Sequence, residues 1–148
     1  ARAGAGADTR AFCAAARQRL CPSPADGFYE WQAAPGGKQP FYFHMGDGSP
    51  FALAGLWERW KSPEGAWLET CTILTTEAND LLRPFHDRMP VIVAPDDYAR
   101  WLDPALRDAD AVPDLLAPFD PAAMAAHPVS REVNRVANDG PHLIVPAG

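Results

Sequence analysis

An aromatic run bracketed by two turn signals constrains the fold of this chain more than any other stretch. Asp26-Gly27 is a turn dipeptide, Phe28 to Gln32 reads as a strand, and Ala34-Pro35-Gly36-Gly37 turns the chain back into Phe41-Tyr42-Phe43. Two apolar runs joined this way predict a β-hairpin. Alternate side chains on a strand face opposite ways, so Glu30 shares a face with Phe28, while Tyr29 and Trp31 share the other. A carboxylate among three aromatic rings is costly in a core unless it finds a partner. Two readings of Glu30 therefore stand: a solvated residue on an edge strand, or a carboxylate kept for chemistry.

The flanking sequence extends this pattern. Asp8 or Thr9 caps a predicted helix running to about Leu20, with Phe12, Ala16 and Leu20 on one face. Pro22 and Pro24 enforce an extended entry into the aromatic strand. Phe51 to Trp60 reads as a third strand, Pro63-Glu64-Gly65 as a turn, and Leu68 to Thr76 as a fourth strand. Neither alternating set of that fourth strand is purely polar, which predicts a central position. A short helix is expected near Asn79–Arg83, ended by Pro84, then a strand at Met89–Val93 and a helix from Asp96 or Asp97 to Leu102. Ala105 to Leu116 reads as a peripheral helix pair, and the tail from Pro128 as strand and loop with a turn at Asn138-Asp139-Gly140. Hairpins with interspersed helices predict an α+β domain with a mostly antiparallel sheet.

Composition narrows the function classes. At 148 residues and 47% hydrophobic, the chain suits one domain with its own core. No apolar run approaches the roughly 18 residues of a membrane span, and no secretory signal is visible. Three cysteines without CxxC spacing argue against a disulfide framework or zinc ribbon. His44, His86, His127 and His142 show no i, i+4 pair, so no metal and no cofactor is expected. Cytoplasmic residence is the default. The net charge of −6 argues against a nucleic-acid partner at first sight, but its distribution does not. Residues 1–40 carry Arg2, Arg10, Arg17, Arg19 and Lys38 against Asp8, Asp26 and Glu30, whereas residues 96–120 carry seven aspartates against two arginines.

His86 is the second residue that invites a chemical reading. His86-Asp87-Arg88 lies in a loop at the entrance to the apolar run Met89-Pro90-Val91-Ile92-Val93. A histidine between a proline-terminated turn and a strand, beside Asp and Arg, suits acid–base work. A surface histidine bonded to a backbone carbonyl fits the same sequence. Arg88 has three candidate partners: Asp87, Glu77 or DNA.

Pro24-Ala25-Asp26-Gly27-Phe28-Tyr29-Glu30-Trp31 and His86-Asp87-Arg88-Met89-Pro90-Val91 stand in an ordered series with other blocks. The series includes Ala1-Arg2-Ala3, Arg19-Leu20-Cys21, Ala54-Gly55-Leu56-Trp57-Glu58, Thr72 to Asn79, Trp101-Leu102, Val133-Asn134 and Asn138-Asp139-Gly140-Pro141. This series resembles the SOS response-associated peptidase (SRAP) family of abasic-site processing proteins, from Ala1 to about Pro146. The resemblance implies an antiparallel sheet curled into a barrel-like core, a monomer, and single-stranded DNA bearing abasic sites as partner.

By resemblance, Glu30 is the acid–base group beside the nucleophile and His86 the acid that opens the sugar ring. Arg2 and Trp31 match DNA-contact positions, and Thr75 a polar position near the reacting sugar. An arginine for phosphate and an indole for base stacking is the usual division on single strands. Trp57 and Trp101 are expected in the core. The family's nucleophile is a cysteine directly after the initiator methionine. It traps the abasic aldehyde as a Schiff base that closes to a thiazolidine, and the same pair removes the methionine, with a lyase side reaction by β-elimination. This sequence begins at Ala1 without that cysteine, and resembles the C-terminal two-thirds of the family domain. Cys13, Cys21 and Cys71 do not replace it, since none pairs a thiol with a free α-amine. The alternatives are a non-covalent single-stranded DNA binder and a hydrolase in which Glu30 and His86 act on another substrate.

Overall fold

The computed structural model describes residues 19–103 and 113–148. The aromatic hairpin forms as β2 (Phe28–Ala34) and β3 (Gly37–Met45), in register from Phe28 opposite Phe43 to Ala34 opposite Gly37. Pro35-Gly36 makes the turn: proline supplies the first negative φ, and Gly36 takes the second position at φ +81°. At the other end, Gly27 lets the chain pass against the β3 backbone. A Cβ there would lie 2.3 Å from Tyr42 Cζ and 2.5 Å from the Phe43 carbonyl oxygen, so no larger residue fits without movement.

β9 (Met124–Pro128) pairs with β3 to complete a three-stranded sheet, order β2-β3-β9. A second sheet has β4 (Phe51–Lys61) between β1 (Leu20–Ala25) and β5 (Trp67–Ile73), with β8 (Ile92–Val93) also on β4. Pro22 and Pro24 fall on the edge strand β1, where a missing N–H costs no ladder bond. β6 (Thr75–Glu77) and β7 (Arg88–Pro90) form a two-stranded ladder. All pairings are antiparallel, as expected for the α+β class, but among the described residues the three sheets do not close into a barrel.

β4 separates two hydrophobic clusters. Ala54 and Leu56 face Leu74, Val91, Val93, Trp101 and Leu115, while Phe51 joins Phe43, Met45, Leu82, Met89, Ile92 and Met124. The Met89–Val93 run lacks polar alternation because both its faces are buried. Trp101, at the end of the helix α1 (Tyr98–Trp101), is fully buried and donates from Nε1 to the Cys21 carbonyl at 3.3 Å.

Several expectations need correction. The Leu68–Thr76 strand is two strands, because Leu74 keeps only one bond to β4, its N–H to the Ala54 carbonyl, while Val91 accepts the Ala54 N–H and donates to the Leu74 carbonyl. Val91 divides Met89–Val93 in the same way. β5 is an edge strand, not a central one: its mixed pattern arises because both faces of its outer half are open to solvent. Trp60, Trp67 and Leu68 are each more than half exposed there, and Trp57 is also on the surface rather than in the core. Cations cover the indoles instead. Arg59 Cζ sits 4.1 Å and Lys61 Nζ 5.5 Å from the Trp67 ring centre, with Arg19 Cζ 5.7 Å from Trp57.

The Asn79–Arg83 segment makes consecutive turns without becoming a helix, since Pro84 follows too soon for a second turn. The final strand ends at Pro128 rather than beginning there, and the tail is built from 3-10 turns with one bridge between Val129 and Pro146. Arg19 is not helical and Leu20 opens β1; the rest of the helix expected to end there lies outside the described residues. Most of the Ala105–Leu116 helix pair also lies outside them, and Pro113–Leu116 is a 3-10 turn.

Candidate active site

Glu30 lies on β2, an edge of its sheet, directly opposite Phe41, and Phe28 lies opposite Phe43. Facing side chains of an antiparallel pair share a side of the sheet, so Glu30 stands at the margin of an aromatic wall. Phe28 stacks on Phe43 with ring centres 5.4 Å apart. Phe85 then docks edge-on against Phe41 at 4.8 Å and Phe43 at 5.0 Å. Its approach is set by Asn79, a buried polar residue whose Oδ1 accepts the Leu82 N–H at 3.1 Å and whose Nδ2 donates to the Phe119 carbonyl at 2.8 Å. His86 N–H closes the last turn on the Leu82 carbonyl. Anchoring Phe85 on the wall therefore delivers the next residue, His86, to the margin where Glu30 stands. The two line one open cleft of ≈ 410 Å³ with Trp31, Lys38, Phe85 and Asn134.

The other side of the cleft comes from the opposite face of the hairpin and from the tail. Trp31 Nε1 donates to Asn134 Oδ1 at 2.7 Å, which fixes the indole at the cleft margin. Asn134 ends the 3-10 turn Arg131–Asn134, whose N-cap Ser130 accepts the Glu132 N–H through Oγ at 3.2 Å. Arg131 Nη1 donates to the Gly36 carbonyl at 3.2 Å and ties this turn to the hairpin tip. Lys38 pairs across the ladder with Ala33, beside the same tip.

The His86 contacts define two protonation states. Its Nδ1 accepts the Arg88 N–H at 2.9 Å, which requires a lone pair there and puts the proton of the neutral ring on Nε2. The same Nδ1 lies 3.0 Å from Asp87 Oδ1, a contact that is an ion pair only when the ring carries both protons. A neutral ring is thus held by the backbone and a charged one by the carboxylate, so His86 has a partner in either state.

Arg88 pairs with neither Asp87 nor Glu77 among the described residues. Its Nη2 donates to the Thr75 carbonyl and, at 3.1 Å, to Thr75 Oγ1, while its Nε is buried without an acceptor. Thr75 is in this way held by Arg88 on the β6–β7 ladder and is not among the residues lining the cleft. Arg2 and Cys13 lie outside the described residues. Cys21 is half-buried in β1, and burial, with the nearby Cys71 adding to it, pushes its thiol pKa up; Cys71 is exposed. Among the described residues no cluster of three or more His, Cys, Asp or Glu is placed to hold a metal, and no helix is long and apolar enough to cross a membrane.

Structure thus brings together Glu30, Trp31 and His86, and adds Lys38, Phe85 and Asn134, which sequence reasoning did not single out as site residues. Register alone could have flagged Lys38, two residues from the proline opposite Trp31. Asn134 carried a weaker signal, as part of the Val133-Asn134 block.

The family model for SOS response associated peptidase (SRAP) matches residues 1–136. Abasic site processing protein YoqW of Bacillus subtilis is 44% identical over 127 residues, which covers 85% of this chain and 57% of the relative. Abasic site processing protein HMCES of Gallus gallus is 36% identical over 148 aligned residues, covering 86% of this chain and 44% of the relative. The chain thus spans about half the length of these relatives. A crystal structure of a protein from Bacteroides thetaiotaomicron superposes with a TM-score of 0.90 at 30% identity, over 99% of this chain and 65% of that one. A second, from Bordetella bronchiseptica, gives 0.78 at 32% identity, over 88% and 64%.

Proposed function

Because the chain belongs to the SOS response associated peptidase family, we propose that its cleft receives the abasic site of a single DNA strand. The observation that carries this reading is the meeting of Glu30 and His86, from separate elements, in one cleft with an indole at its margin. A ring-closed abasic sugar needs a proton on its ring oxygen to open, and an imidazolium supplies one near neutral pH. The aldehyde then released needs a neutral amine and a carboxylate to shuttle protons through addition and loss of water. His86 takes the first role and Glu30 the second. Trp31 offers a surface for base stacking beside the lesion.

Where the domain presents an N-terminal cysteine, the same pair serves a covalent outcome. The α-amine forms the imine, and the thiol adds to the same carbon to close a thiazolidine. The Glu30 carboxylate also suits removal of an initiator methionine ahead of that cysteine.

A direct test measures fluorescence anisotropy of an abasic single-stranded oligonucleotide with this chain, and runs denaturing gels of a version bearing the N-terminal cysteine. Binding should weaken as salt rises, because phosphate contacts release counterions. Glu30→Gln and His86→Ala in the cysteine-bearing version should slow adduct formation by about 10²-fold or more. Adduct rates indifferent to both substitutions would reject the assigned roles.

A further inference from the structure

We propose that Lys38 is a second amine nucleophile of this cleft, able to form an imine with an aldehyde-bearing DNA strand. The inference rests on the reading of the cleft just given. Lys38 lines the cavity with Glu30 and His86, so an amine, a carboxylate and an imidazole share one open space. These are the three functions that imine formation uses. Lysine's flexible four-carbon stem lets its Nζ search the cleft from the exposed hairpin position opposite Ala33. Trp31 and Asn134, held to each other at 2.7 Å, form the wall beside it.

The step balances without any further reagent. Glu30 accepts a proton from the Lys38 ammonium, and the freed nitrogen pair adds to the aldehyde carbon. The carbonyl π pair moves to oxygen, which takes a proton from His86 while the nitrogen returns one to the imidazole, giving a neutral carbinolamine. Glu30 returns its proton to that hydroxyl, which leaves as water as the nitrogen pair forms the C=N bond of the protonated imine. The products are one imine and one water, and hydrolysis reverses the sequence.

This chain carries an internal control, since its only lysines are Lys38 and Lys61. Lys61 sits over Trp67 on the β4–β5 ribbon, and is not among the cleft residues. The experiment incubates the full chain with an abasic single-stranded oligonucleotide and cyanoborohydride, which reduces any imine to a stable secondary amine. Peptide mass mapping then locates the adduct, while anisotropy without reductant reports binding. Adduct at Lys38 exceeding that at Lys61 by about tenfold, lost in Lys38→Arg and retained in Lys61→Arg, is the expected result. Tight binding with the adduct on Lys61 or the Ala1 amine, or with no adduct, overturns the role of Lys38 and leaves the cleft reading intact. Absence of binding overturns both.

Discussion

Gly27 shows how one residue positions the site. It lies between the Asp26 turn and the first aromatic of β2, with no room for a Cβ against Tyr42 and the β3 backbone. Gly27→Ala should destabilise the domain by about 1–3 kcal/mol, the usual cost of forcing extra volume into a packed region. Chemical denaturation checks this; an unchanged midpoint would mean that Tyr42 moves aside freely. The turn at this position was legible in the sequence because Asp-Gly is a local signal. Its tight packing was not, since Tyr42 approaches from the next strand.

At the scale of elements, the site depends on Phe85. The β2–β3 hairpin holds Glu30 and Trp31, but only the docking of Phe85 on Phe41 and Phe43 brings His86 to them. Phe85→Ala should cost about 3–5 kcal/mol, as truncations of packed phenylalanines do. Phe85→Leu should fold more stably than the alanine variant, yet still lower adduct formation in the cysteine-bearing version, because the aliphatic side chain seats the loop differently. Full adduct formation in Phe85→Leu would separate His86 placement from the aromatic wall.

The hairpin strands were legible because turn residues and aromatics mark them locally. The division of Leu68–Thr76 was not, because Val91, distant in sequence, comes between Leu74 and Ala54 in the hydrogen bonding, which no local pattern records. The exposure of Trp57 escaped for a related reason: hydrophobic pattern alone does not distinguish an indole packed in a core from one covered by an arginine.

Across the whole molecule, β4 and the Met89–Val93 segment link the two clusters, so the aromatic wall and the Trp101 core share their framework. Three acidic groups on β1, β2 and β3 have raised pKa values. Burial raises Tyr29; burial, then Asp26 and Tyr29, raise Tyr42; burial, then Cys71, raise Cys21. In each, the charged form is the deprotonated one, and folding disfavours it. Below the ordinary ranges of about 8.5 for Cys and about 10 for Tyr, both states hold these protons and the stability is complete. As pH rises further the unfolded chain loses them first, so stability falls until the folded groups ionise as well. The denaturation midpoint should therefore decline above about pH 9, through this alkaline range, and a midpoint that rose there would contradict the assignment.

The most direct test of the central claim follows two signals during one titration, the Trp31 indole N–H and the His86 ring resonances, by nuclear magnetic resonance. The titrant is a single-stranded oligonucleotide carrying a tetrahydrofuran abasic analogue, which binds without reacting. If the cleft receives the lesion, both signals shift together with the same apparent affinity, and an undamaged strand moves His86 less at equal occupancy. Saturable binding that leaves both signals unmoved would place the DNA elsewhere and contradict the account.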